Sequence, residues 1–161
     1  MLILNSGGTF NKRYNSLSGL LEVPYDNYAI DKIIESFDIK CGLAGIIYKD
    51  SLDMDSNDRK ILANIITEST DEAFIIIHGT DTIDLSAEFL AEVFTDKIII
   101  LTGAMKPFEI DNIEAAVNLG MAVGFAKAVK ENGVYICMNG HVGVWNKVVK
   151  NKALGKFEIV R

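Results

Sequence analysis

Cysteine is scarce in this 161-residue chain. Its two cysteines, Cys41 and Cys137, lie too far apart for a ligand cluster or a disulfide framework, so both read as core thiols in a reducing compartment. A basic excess is missing as well. Sixteen lysines and arginines against 22 aspartates and glutamates leave a formal net charge of -6, the wrong sign for a phosphate-backbone footprint. Nucleic acid and anionic membrane are therefore excluded as expected partners. No apolar run reaches the length of a membrane span. Met1-Leu2-Ile3-Leu4 runs straight into Asn5-Ser6-Gly7-Gly8, without the basic start or long apolar region of a signal peptide. The expected location is the cytoplasm. There is no internal repeat, low-complexity segment or linker, and the length suits one domain over residues 1–161.

What the chain has instead is alternation. Phe74 to Ile77 is an unbroken run of aromatic and β-branched residues, too apolar for a strand with one wet face and suited to the centre of a parallel sheet. It stops at His78-Gly79-Thr80-Asp81-Thr82, and Ile83 to Phe94 follows at helical spacing. Four other short strands end in the same way. Leu2 to Leu4 exits into Asn5-Ser6-Gly7-Gly8-Thr9, Ala44 to Tyr48 into Lys49-Asp50-Ser51-Leu52-Asp53-Met54, Lys97 to Leu101 into Thr102-Gly103-Ala104-Met105-Lys106-Pro107, and Val134 to Met138 into Asn139-Gly140-His141. Helical patterns lie between them. Tyr28 to Phe37 follows Asp26 and Asn27 as capping candidates, and Asp55 or Ser56 precedes a helix carrying Ile61, Leu62, Ile65 and Ile66.

Strand and helix in alternation predict βαβ units with right-handed crossovers and helices on both faces of a mostly parallel sheet. The fold class is thus α/β, an open three-layer αβα sandwich with a flavodoxin-like sheet. Ligands in such sheets sit outside the carboxyl ends of the strands. Phe10 to Tyr25 shows no period and reads as a long loop, of the kind that is commonly functional or mobile. Beyond Gly143, Val142 to Trp145 and Phe157 to Val160 suggest a small hairpin or an edge extension.

On the helix before the fifth strand, Ile113, Val117, Gly120, Gly124 and Lys127 share a face at one hundred degrees per residue. A lysine in that apolar arc has two readings. Either its stem packs and its ammonium snorkels to water near the helix end, or it is aimed at a hydroxyl or carboxylate within a site, with the two glycines letting the helix approach the sheet.

Singly, Thr9, Ser51 and Thr80 read as turn or N-cap hydroxyls, and Asp81 as another cap. As an ordered set they carry more. Gly7-Gly8-Thr9, Asp50-Ser51-Leu52-Asp53-Met54, His78-Gly79-Thr80-Asp81-Thr82, Thr102-Gly103-Ala104-Met105-Lys106-Pro107, and Lys127 six residues before Gly133 resemble the amino-terminal domain of the bacterial-type L-asparaginase/glutaminase family. The resemblance implies an amidohydrolase that converts the side-chain amide of asparagine, or of glutamine or another small amide, to the acid and ammonia through a threonine nucleophile. It requires no metal or organic cofactor. Thr9 matches the nucleophilic or near-attack threonine on a lid, Tyr14 the lid tyrosine with Tyr25 as a rival, and Thr80, Asp81 and Lys127 the second threonine with its activating pair. Ser51 matches the serine that holds the substrate's α-carboxylate, and Asp81 doubles as partner for its ammonium. Gly8, Gly79 and Ala104 complete the expected substrate-binding set.

A weak nucleophile such as a threonine hydroxyl needs a base within hydrogen-bond reach, which is why these types belong together. The chain departs from the family in three places. The second domain expected after this one has no counterpart before Arg161, Leu52 replaces a common polar residue, and Phe108-Glu109-Ile110-Asp111-Asn112 replaces a serine-rich stretch. A homodimer or homotetramer is expected to shield the side left open. Two other functions compete with the hydrolase. One is a non-catalytic module of the same descent that binds an amino acid or a partner protein. The other is a flavodoxin-like anion or nucleotide binder using Gly7-Gly8 and Gly79, which the charge of Asp81 opposes.

Overall fold

The computed structural model describes residues 1–160. In chain order the elements are β1 (Leu2–Gly7), a short antiparallel pair β2 (Arg13–Asn15) and β3 (Leu20–Glu22), α1 (Tyr28–Ile34), β4 (Gly42–Lys49), α2 (Ser56–Glu68), β5 (Ala73–Ile77), α3 (Ile83–Val93), β6 (Ile98–Thr102), α4 (Asn112–Ala128), β7 (Gly133–Met138), β8 (His141–Val144), β9 (Val148–Asn151) and β10 (Lys156–Ile159). Six strands form the main sheet in the order β4-β1-β5-β6-β7-β8. All neighbours pair in parallel except β8, which runs antiparallel to β7 at the edge. The five parallel strands thus have the flavodoxin-like order, with the reversal of strand order between β1 and β5.

The centre of the sheet is buried on both faces because β5 is apolar at every position and β6 at all but its last, Thr102. Phe74 and Ile76 of β5 face one core with α2 and α3, while Ile75 and Ile77 face the other with α1 and α4, and all four are fully buried. Asp55 starts α2 with a reciprocal capping box, its carboxylate accepting from the N–H groups of Asn57 and Asp58 while the Asp58 carboxylate accepts from the Asp55 N–H. That cap satisfies donors that helix geometry leaves without partners. The segment that shows no period in the sequence holds a 3-10 turn at Thr9–Asn11 followed by the β2–β3 hairpin.

One crossover departs from the expected hand. The connections β5-α3-β6 and β6-α4-β7 advance in the same direction across the sheet, yet α3 packs on one face and α4 on the other. They therefore have opposite hands. The connections through α1 and α2 agree with α3, so the β6-α4-β7 unit is the exception to the right-handed rule. The nine residues 103–111 give its chain the length to cross the strand exits, and on the way the Phe108 N–H donates to the Phe10 carbonyl at 3.1 Å.

The face of α4 against the sheet also differs from expectation. Ala115, Asn118, Leu119, Ala122, Val123 and Ala126 are buried, while Ile113, Val117, Gly124 and Lys127 are exposed. Apolar residues encircle this helix, so periodicity does not choose a face, and the small alanines allow the close approach. The single buried polar residue on that face, Asn118, donates from Nδ2 to the Gly103 carbonyl at 2.9 Å and accepts from the Asn139 N–H at 3.0 Å. It ties the exits of β6 and β7 together. Replacing Asn118 by Ala strips one buried and one half-buried backbone group of their partners and is expected to lower the unfolding free energy by about 1–3 kcal/mol, read from urea denaturation.

Candidate active site

The exits of β1 and β5 meet with no side chain between them. A Cβ placed on Gly8 would fall against the Cα of Gly79, and one on Gly79 would lie 2.5 Å from the Cβ of Ser51, distances that real side chains do not adopt. Gly8 also takes φ of +78°, a left-handed conformation open to glycine. The Gly8 N–H donates to the Lys49 carbonyl at 2.7 Å and Ser6 Oγ to the Ile77 carbonyl at 2.7 Å, binding three strand exits into one floor. This floor lies at the point where the strand order reverses.

Around it polar side chains converge. The buried Ser51 Oγ accepts the Asp81 N–H at 3.2 Å, and Thr82 Oγ1 donates to the Ser51 carbonyl at 2.8 Å. Lys150 Nζ donates to Thr80 Oγ1 and to Asp81 Oδ1, both at 2.8 Å. Lys150 is carried in by β9. It shares a face with Val148 and pairs across the hairpin with Phe157, both 1% exposed, so it occupies an inward position of the β9–β10 pair. Its side chain is 13% exposed.

Thr9 and Asp81 line an open cleft of about 590 Å³, with Tyr48, Leu52 and Leu21 on its walls. Thr9 stands at the start of the 3-10 turn, whose next two residues, Phe10 and Asn11, are buried. Asn11 Nδ2 donates to the Asp26 carbonyl at 2.8 Å, and its Oδ1 accepts from the Ala29 N–H at 2.9 Å. The turn is anchored to α1 rather than free. Tyr48 holds φ of +59°, uncommon for a residue with a Cβ, and its ring stands edge-on to that of Tyr25, with centroids 5.6 Å apart. Among the described residues no group of three or more His, Cys, Asp or Glu is arranged to hold a metal ion.

A family model described as "Asparaginase, N-terminal" matches residues 1–157. The chain belongs to the asparaginase family. A glutamyl-tRNA(Gln) amidotransferase component from Methanococcus maripaludis is 31% identical over 152 residues, covering 88% of this chain and 35% of that protein. Glutaminase-asparaginase of Acinetobacter glutaminasificans is 27% identical over 162 residues, covering 93% of this chain and 49% of that one. The thermostable L-asparaginase of Thermococcus kodakarensis superposes with a TM-score of 0.85 at 23% identity, over 99% of this chain and 50% of that structure, a likeness of fold. The chain spans about a third to a half of the length of these relatives.

Against this asparaginase fold the expected site residues divide. Gly8, Thr9, Ser51, Gly79, Thr80 and Asp81 gather at the β1, β4 and β5 exits. Lys127 does not join them. It is exposed on the last turn of α4, nine residues beyond Asn118 and hence about 13 Å further from the strand exits along the helix. The lysine at Thr80 is Lys150, whose sequence signal is an alternation that puts a lysine two residues after the core-facing Val148. Tyr14 is exposed on β2 and outside the cleft lining, its N–H donating to Glu109 Oε2 at 2.8 Å, and Tyr25 is 85% exposed. Tyr48 is the tyrosine on the cleft wall. Ala104 is fully buried in the core beneath α4, away from the cleft.

His78, beneath the floor, is a structural group. Its Nδ1–H donates to the Gly79 carbonyl at 2.7 Å, and Nε2 accepts from Ser86 Oγ at 2.8 Å, which in turn accepts from Arg59 Nε at 3.1 Å. Burial pushes the imidazole down to about 4, against the smaller opposing effect of the Gly79 carbonyl. The folded value lies below the unfolded one of about 6.5, so the unfolded chain takes up the proton first and stability falls as pH drops from about 6.5 to 4. Roughly 3 kcal/mol is expected to be lost across that window, and urea midpoints of the His78→Gln variant should fall less over the same range.

Proposed function

We propose that the chain is an amidohydrolase that splits a small amide, of the asparagine or glutamine type, to the acid and ammonia through an acyl-threonine. The observation that supports this most is the contact of Lys150 with both Thr80 and Asp81 beside the cleft. In its neutral form Lys150 takes the proton of the Thr80 hydroxyl as the oxygen attacks the amide carbon. The charged form is then held by Asp81, and its proton passes to the departing ammonia. Water attacks the resulting ester by the reverse route. With the Gly8 N–H given to the Lys49 carbonyl and the Asp81 N–H to Ser51, the backbone N–H groups of Thr9 and Thr80 are the candidate donors to the tetrahedral oxyanion. Ser51 and the Asp81 carboxylate orient the substrate, and Thr9 stands at the cleft wall. This chemistry asks for no metal and no organic cofactor.

We further propose a cytoplasmic homodimer or homotetramer. Support comes from the two free cysteines, half-buried Cys41 and buried Cys137, and from Ile110 just before α4 and Ile113 and Val117 within it, which leave apolar side chains exposed. No helix among the described residues is long and apolar enough to cross a membrane.

Ammonia release from asparagine, glutamine and small acyl amides tests the reading. Thr80→Ala and Lys150→Ala are each expected to lose at least ~100-fold in kcat/KM, the scale of a positioned base or nucleophile, while Lys127→Ala stays within about twofold of the parent, as surface changes do. Loss with Lys127→Ala and retention with Lys150→Ala would reverse the assignment. Heat protection by an amino acid without any turnover would favour a binding module.

A further inference from the structure

The strand that delivers Lys150 stands outside the main sheet. β9 and β10 pair only with each other, so no ladder of backbone hydrogen bonds sets where their hairpin lies. Val148 and Phe157 pack it onto the core, but apolar contact is not directional and fixes its depth better than its lateral position. Among the described residues, the hydrogen bonds that tie β9 and β10 to the rest of the chain come from two side-by-side residues. One is Lys150 itself, through Thr80 and Asp81. The other is Phe157, directly opposite Lys150 in the hairpin, whose N–H donates to Asn139 Oδ1 at 3.1 Å.

Asn139 is well fixed for that task. It follows the last residue of β7 with φ of +51°, a left-handed conformation that asparagine tolerates better than most residues. Its N–H donates to Asn118 Oδ1 and its Nδ2 to Glu114 Oε1, both at 3.0 Å, and Glu114 also accepts the N–H groups of Met105 and Lys106. Only the carboxamide oxygen can accept from Phe157 and only the nitrogen can donate to Glu114, so the group has one orientation. Asn139 lies outside the lining of the cleft that holds Thr9 and Asp81. Resting on the amidohydrolase reading, we propose that Asn139 is the positioning residue for Lys150, transmitting the fixed exits of β6 and β7 to the hairpin at the residue that faces the lysine. A reacting group displaced by about 1 Å can cost on the order of 100-fold in rate. An anchor at this point therefore governs turnover rather than substrate affinity.

Asn139→Gly removes the carboxamide while keeping the left-handed turn and the N–H bond to Asn118. On the amide that the parent hydrolyses fastest, kcat is expected to fall at least about fivefold with KM within about threefold. In a Lys150→Ala background the same change should alter kcat by less than about twofold, because the group it positions is gone. Equal losses in the two backgrounds would mark a merely structural role and overturn the proposal, as would a smaller loss in the parent or one confined to KM. Two NMR readings are independent of turnover. In the parent, the Phe157 amide should exchange with solvent at least about tenfold more slowly than that of Gly155 in the hairpin turn. The Lys150 ammonium should give a resolved proton–nitrogen signal that Asn139→Gly broadens or abolishes. A Phe157 amide as fast as Gly155, or a Lys150 signal absent from the parent or unchanged in the variant, overturns the proposal. If the parent hydrolyses no amide, the amidohydrolase reading fails, and these two readings alone decide whether Asn139 places Lys150.

Discussion

The backbone contact between Gly8 and Gly79 is the constraint on which the rest of the site depends. Two parallel strands in adjacent positions leave their carboxyl ends side by side, but ordinary side chains would hold the following turns apart. Without a Cβ on either residue the turns close. Thr9 and Thr80, each one residue further on, are thereby brought to the same end of the sheet, and Ser51 is pressed against Gly79 from the third exit. The Ser51 hydroxyl then fixes the Asp81 amide, and the orientation of Asp81 sets where a lysine must come to reach both the carboxylate and Thr80. His78 supports this arrangement from below as a neutral donor to the Gly79 carbonyl.

Two features of the chain bring the remaining groups to that floor. The β6-α4-β7 unit, by taking the unusual hand, sends residues 103–111 across the exits to meet Phe10, so the turn bearing Thr9 is held from behind by the core. The β9–β10 hairpin buries Val148 and Phe157 against the α2–α3 side and carries Lys150 on the same face. An ammonium delivered on a packed strand is held more rigidly than one on a solvated helix end.

Much of this was legible in the sequence for a physical reason. Strands buried on both faces are continuous apolar runs, and a polar, glycine-bearing turn at each exit marks where they end, so five parallel strands and the gathering of Ser51, Thr80 and Asp81 could be expected. The lysine could not be found in the same way. Helix α4 carries apolar residues around its circumference, so spacing does not choose between the stripe of Ile113, Val117, Gly120, Gly124 and Lys127 and that of Ala115, Leu119, Ala122 and Ala126, and both offer small residues for a close approach to the sheet. Lys150 sits in a four-residue strand whose inward face holds only Val148 beside it, too short a pattern to stand out. The hand of the α4 crossover depends on contacts distant in sequence that no local spacing encodes.

The central claim is that the chain binds a small amide at the joined exits of β1, β4 and β5. Backbone amide NMR of the isotopically labelled protein, titrated with asparagine and with glutamine, tests it most directly. The largest shifts are expected on Gly8, Thr9, Ser51, Gly79, Thr80 and Asp81. The claim is contradicted if the shifts cluster instead around the separate cavity of about 410 Å³ lined by Arg13, Tyr28 and Phe108, or if neither compound moves the strand-exit amides.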